Sequence, residues 1–221
     1  MPWLAGPSRA DPPARGKEAP AVDLPWPPRS ADDAWALLEA QRGMSDGEAV
    51  DIWTHQVQTA DALRQEGADD EMVVAGLLHD IGDGRVSPAA HGPWGGALVR
   101  DLLGERVAWL IATHTEAKRY ACTTDPAYWD GLSPVSRRTL EAQGGRMSAA
   151  EAERFRSHRW FPDAMRMRRC DDAGKDPDAP PADTAPLRQA LRRVAGAELQ
   201  RRRSAGASAP ADRPAFSDRR R

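Results

Sequence analysis

A chain of 221 residues, 40% of them apolar and 29% charged, has the size and make-up of one globular domain with flanking segments. A formal charge of −2 gives no global attraction to nucleic acid or an anionic membrane, and no apolar run approaches the ~20 residues of a membrane span. Cys122 and Cys170 supply neither a disulfide framework nor a CxxC metal pair. The stretch MPWLAGPSRADPPARG has no basic n-region or apolar h-region, so the expected address is cytoplasmic.

Residues 1–29 are proline-rich, with Pro12-Pro13 and Pro27-Pro28, lack apolar periodicity and read as a disordered leader. A helical domain is then predicted over 30–178. Ser30 is placed to N-cap ADDAWALLEA. Residues 47–67 set Val50, Trp53, Val57 and Leu63 at helical spacing and carry His55. Asp69-Asp70 open a third helix through Met72, Val73, Ala75, Gly76 and Leu78, ending at Gly82. Further helices fit 95–103, 105–118, 134–143, 149–158 and 162–173. No period-two pattern appears, so the fold is predicted to be all-α, a bundle with its site between facing helices. Residues 179–221 read as a disordered Pro/Ala/Arg-rich tail with a short amphipathic helix around Leu187 to Leu199. The arginines of that tail lack the interleaved aromatics of a nucleic-acid binder, so no nucleic-acid partner is expected.

Four of the five histidines lie beside apolar helical segments. His79 follows VVAGLL and precedes Asp80, whose carboxylate can bridge two cations while the neighbouring imidazole binds one. His55 lies mid-helix, His114 ends VAWLIATH, and His91, just before Gly92-Pro93, is expected to start a helix and aim its ring inward. Asp171 follows the helix bearing Met165 and Met167. One histidine on an apolar helix is usually a packing residue, and His158 in RSHRW is read so. Together the other four and two carboxylates point to a two-metal site. Imidazole and carboxylate without thiolate suit iron, manganese or zinc, and Cys170 reads as a small buried apolar side chain. The basic residues are mostly arginine, so Lys118 stands out as a compact point charge, although coding bias explains the arginine excess equally well.

His55, His79-Asp80 and Asp171 match the H…HD…D signature of the HD-domain superfamily, and His91 with His114 matches its six-ligand, two-metal branch. The stretches THTEAKRYACTTDPAYWDGLSPVSRRTLEAQGGRMSAAEAERF and DAMRMRRCDDAGKDPD are similar to the phosphonate-degradation HD-domain oxygenases, mixed-valent di-iron enzymes related in mechanism to myo-inositol oxygenase. The resemblance spans roughly 44–178. It implies His55, His79, Asp80, His91, His114 and Asp171 as ligands of two iron ions, Fe(II)/Fe(III), with Asp80 bridging and O2 as co-substrate. Lys118 falls one turn after His114, Ser136 and Thr139 set two hydroxyls side by side, and Arg168 stands three before Asp171. These residues describe an oxyanion pocket suited to a phosphonate. Glu48 and Asp83 complete the expected substrate contacts.

The implied reaction is oxidative C–P cleavage of a small 1-hydroxyphosphonate, such as 2-amino-1-hydroxyethylphosphonate, to phosphate and a carboxylic acid such as glycine. The alternatives are a metal-dependent phosphohydrolase acting on a phosphate ester, the commoner HD-domain activity, and a regulatory module that binds an anion without turnover. The chain departs from its relatives at three positions. HDIGD puts Asp83 where HDxGH has histidine, Ser45 stands where a tyrosine is usual, and Arg146 stands where proline is usual. An acid there would repel a phosphonate, so Asp83 is expected to meet an ammonium or quaternary ammonium group of the substrate.

Overall fold

The structure, a computed structural model, describes residues 26–207. Nine helices and no strand occur among them, as the periodicity predicts. Helix α1 (Ala31–Glu39) starts where Ser30 accepts from the Asp33 N–H, and it buries Trp35, Leu37 and Leu38. Helix α2 (Ile52–Gln65) begins five residues later than the pattern suggested. Asp51 caps it, its carboxylate accepting from the N–H groups of Thr54 and Gly43 and so closing the loop behind it. Helix α3 (Asp70–Leu78) buries every residue from Met72 to Leu78 and stops short of Gly82. His79 is its C-cap, and Asp80 lies in the turn beyond.

Helix α4 (His91–Thr124) is two helices joined at Gly104, whose φ of 85° and ψ of 174° only glycine adopts readily. The two arms fold back on each other. A Cβ on Gly96 would collide with the Ala108 carbonyl, and one on Gly92 would come within 3.1 Å of the Ala112 carbonyl and 3.3 Å of the His114 ring. Glycine on the first arm therefore lets His91, at its start, reach His114 on the second.

The short helix α5 (Pro126–Gly131), capped by Asp125, was not anticipated from the pattern. It is followed by α6 (Pro134–Ala142), α7 (Ala149–Arg156) and α8 (Phe161–Ala173). Helix α8 buries Ala164, Met167, Cys170 and Asp171 and packs against α2 and α4.

The chain departs from the expected flanking segments at both ends of the domain. Helix α9 (Ala185–Ala207) is longer than the short helix expected at 187–199 and belongs to the core. Leu187, Leu191 and Val194 are buried against α3, α4 and α1. Its extension has a local cause, because Arg201 and Arg202 both pair with Glu198 one turn back. At the other end Trp26 packs against Trp94 in a tilted pair with ring centroids 5.0 Å apart, and Pro28 is buried. The remainder of the predicted leader, 1–25, and of the tail, 208–221, lies outside the described residues. No helix among the described residues is long and apolar enough to cross a membrane.

Candidate metal centre

The core helices deliver four imidazoles to one point. His55 comes from one turn inside α2, His79 from the end of α3, and His91 and His114 from the two arms of α4. All four histidines are buried, at most 6% exposed as whole residues. Because α3 ends at His79, the backbone turns there, and the adjacent Asp80 faces the same centre. Gln41 fixes that turn by donating from Nε2 to the Asp80 carbonyl at 2.8 Å, and Gln56 donates in turn to the Gln41 side-chain oxygen at 3.0 Å. Neither glutamine was singled out in the sequence; Gln56 is a polar residue on the buried face of α2, and Gln41 lies in the turn after α1.

Each ring is oriented by a backbone carbonyl. His55 Nδ1 lies 2.8 Å from Gly174 O, His79 Nδ1 2.8 Å from Gly76 O, His91 Nδ1 2.7 Å from Pro88 O and His114 Nδ1 2.8 Å from Ile111 O. A carbonyl only accepts, so Nδ1 carries the proton in every ring and Nε2 presents a lone pair. Those lone pairs meet in two couples, His55 with His79 at 3.1 Å and His91 with His114 at 2.9 Å. Facing lone pairs at such separations repel unless a proton or a metal ion lies between them. An Nδ1–H held by a carbonyl is also the usual outer partner of a metal-bound histidine.

Asp80 joins the couples. Its Oδ2 lies 3.5 Å from His55 Nε2 and 3.3 Å from His79 Nε2, while its Oδ1 lies 3.2 Å from both His91 and His114 Nε2. Two donor groups result, His55–His79–Asp80 and Asp80–His91–His114. Asp171 adds a second carboxylate to the first group, 3.2 Å from His55 Nε2 and 3.7 Å from His79 Nε2. The groups are therefore unequal, and their electrostatics follow. Burial opposes charge on His79, yet the Asp80 and Asp171 carboxylates raise its pKa to about 9. At His114 burial prevails and lowers the pKa to about 4. The donor set, imidazole and carboxylate with both cysteines elsewhere in the core, fits the harder transition metals.

The expected substrate contacts divide into two sets. Lys118 is 7% exposed and donates to Thr139 Oγ1 at 2.7 Å, and Thr139 Oγ1 donates to the Ser136 carbonyl. Burial, then the Arg168 charge, lowers the Lys118 pKa to about 8. No carboxylate among the described residues pairs with it. Arg168 is instead engaged by carboxylates: Nη1 meets Asp171 Oδ2 and Nη2 meets Asp172 Oδ1, each at 2.6 Å. It braces a candidate ligand, while Nε stays buried without a partner. Asp172 also accepts from Tyr128 Oη at 2.8 Å. Glu48 is paired with Lys175, at 2.9 Å. Asp83, on the turn after Asp80, is half-buried, and its Oδ1 accepts from the Gly84 N–H. His158 lies away from the centre, its ring stacked on Trp109 at 3.9 Å.

Residues 52–153 match the HD domain family. Among curated proteins, the [1-hydroxy-2-(trimethylamino)ethyl]phosphonate dioxygenase (glycine-betaine-forming) of Leisingera caerulea is 32% identical over 142 residues, covering 60% of this chain and 72% of that protein. The hydroxymethylphosphonate dioxygenase of Gimesia maris is 32% identical over 139 residues, 58% of this chain and 69% of its own length. The chain belongs to the HD-domain phosphonate dioxygenases. An uncharacterized protein of Acanthamoeba polyphaga mimivirus is also 32% identical, over 152 residues. The HD match holds His55, His79, Asp80, His91 and His114 of this oxygenase but stops before α8. The place of Asp171 therefore rests on its distances to His55 and His79.

Proposed function

We propose that the chain cleaves the C–P bond of a small 1-hydroxyphosphonate, such as 2-amino-1-hydroxyethylphosphonate, using O2 and two iron ions, Fe(II)/Fe(III). The observation that carries this reading is Lys118, a buried ammonium that donates to the Thr139 hydroxyl and has no carboxylate ion-pair partner among the described residues. An unpaired buried cation is costly, and a doubly charged phosphonate removes that cost. Both named relatives act on hydroxyphosphonates that differ only in the tail, a trimethylammonium group in one and none in the other.

His55, His79, Asp171 and one oxygen of Asp80 would hold one ion, and His91, His114 and the other Asp80 oxygen the second. When bound, the irons supply Lewis acidity toward the substrate's hydroxyl and phosphonate oxygens and redox chemistry toward dioxygen. Lys118, oriented by the Thr139 hydroxyl to which it donates, binds phosphonate oxygens and fixes the phosphorus end. Arg168 keeps Asp171 ionised and turned toward His55. The carbonyls of Gly76, Pro88, Ile111 and Gly174 hold the ring protons on Nδ1, leaving each Nε2 as the donor atom for an ion. The sum closes without an external reductant: 2-amino-1-hydroxyethylphosphonate and O2 give glycine, phosphate and a proton.

Iron-loaded enzyme assayed for phosphate release from a panel of 1-hydroxyphosphonates tests the reading. Release is expected only with oxygen present. Undiminished anaerobic release from phosphate esters would instead establish a phosphohydrolase. Binding of phosphonate without turnover under either condition would establish a regulatory module.

A further inference from the structure

Helix α8 sets Arg168, Asp171 and Asp172 three and four residues apart, so the three side chains share one face. The Arg168 guanidinium spans both acids, Nη1 to Asp171 Oδ2 and Nη2 to Asp172 Oδ1, each at 2.6 Å. The acids then turn to different neighbours. Asp171 is buried, with Oδ1 3.2 Å from His55 Nε2. The Asp172 side chain is 33% exposed, and its Oδ2 accepts from Tyr128 Oη at 2.8 Å.

Tyr128 lies on α5, a helix that buries none of its residues and is held by polar contacts. Asp125 caps its start, and Arg137 on α6 donates from Nη2 to the Asp130 carbonyl at 2.7 Å. Burial raises the Tyr128 pKa, and the Asp172 carboxylate adds to that rise against the Arg168 charge, so the phenol stays protonated and donates. An unbroken line of hydrogen bonds therefore runs from a short surface helix to the acid beside His55. It passes from Tyr128 through Asp172 and Arg168 to Asp171.

One guanidinium divided between two carboxylates gives each less than it would give alone. The share that falls on Asp171 lowers the electron density that this carboxylate can offer an ion. A negative Asp172 draws charge away from Asp171, and the Tyr128 hydroxyl, by neutralising part of Asp172, returns some of it. We propose that Tyr128 and Asp172 are positioning residues that tune Asp171 as an ion ligand through Arg168, with opposite signs. This deepens the proposed function and rests on its assignment of Asp171 to an ion.

Calorimetric titration of the metal-free full chain with iron(II), in the absence of oxygen, tests the proposal without turnover. Asp172→Asn should weaken one of the two binding steps about tenfold, the low end for an outer partner of a metal ligand. Tyr128→Phe, which keeps the ring, should strengthen the same step about threefold, the worth of one hydrogen bond passed through two others. The other step should stay within about twofold in both variants. The double variant should match Asp172→Asn, because Tyr128 acts only through Asp172. Losses of affinity in both single variants would overturn the proposal, since a bracing role moves them in the same direction. So would two unmoved variants, or a gain from Tyr128→Phe that persists once Asp172 is asparagine. An unmodified chain that binds no iron would sink the proposed function together with this proposal. Two bound ions with a wrong pattern among the variants would sink the proposal alone.

Discussion

His55, His79, His91 and His114 sit on helices whose apolar faces form the core, whereas Ser136 and Thr139 sit on α6, which buries two residues and hangs from ion pairs and hydroxyls. One half of the site is fixed by packing, the other by polar latches. Core packing over-determines a ring position, so few single side-chain truncations outside the cluster displace it; a latch is undone by one side chain. The sharpest break of the packed half is Asp80→Asn, because one carboxylate faces both histidine couples. Iron content after loading should fall well below one ion per chain. Turnover should drop by more than the ~10–100-fold that losing an outer partner costs. Retention of two irons would show that the two donor groups are independent.

The next largest effect reaches the packed half through the backbone. A Cβ on Gly174 would lie 2.5 Å from Thr59 Oγ1 and 3.0 Å from Thr59 N, so Gly174→Ala must move the carbonyl that receives the His55 proton. Iron affinity, measured by competition with a chelator, should weaken by about 10–100-fold with the helix content unchanged. Unchanged affinity would mean that packing of α2 alone orients His55.

Lys118 tests the polar half. It carries charge below its pKa of about 8 and loses it above, and only the charged form binds an anion. KM for a hydroxyphosphonate should therefore be lowest below pH 8 and rise as pH passes through it. Lys118→Met should raise KM by about 10–100-fold and abolish that alkaline limb. A limb that survives the substitution belongs to another group.

How far these halves were legible in the sequence follows from the same difference. His79 after VVAGLL, and His55 and His114 on apolar stretches, announced themselves because helical period and burial share one cause, and the break at Gly104 between two predicted helices was visible for the same reason. The partner of Glu48 was not: Asp171 and Asp172 lie three and four residues from Arg168, but Lys175 lies 127 from Glu48, and no periodicity encodes a contact across that distance. The α9 helix was underestimated because an Ala/Arg-rich stretch after a proline run resembles a tail until Leu187, Leu191 and Val194 find α3. Lys175 did leave a trace, as one of three lysines in a chain that otherwise uses arginine.

Asp83 is the position where the two halves meet and the expected effect is smallest. It lies in the turn that Gln41 pins through the Asp80 carbonyl, so its backbone is as fixed as the packed half, while its carboxylate has no cationic partner among the described residues. Burial, then the Asp80 and Asp46 carboxylates, raises its pKa. Its charge is thus lost as pH falls through that raised value, and with it any hold on an ammonium group. Asp83→Asn should lower kcat/KM for 2-amino-1-hydroxyethylphosphonate by about fivefold, the worth of a half-exposed ion pair, and flatten the acid limb seen with that substrate. Hydroxymethylphosphonate, which has no cation to offer, should lose less. Equal losses on the two substrates would assign Asp83 to the neighbouring Asp80–His91–His114 group instead of the substrate's tail.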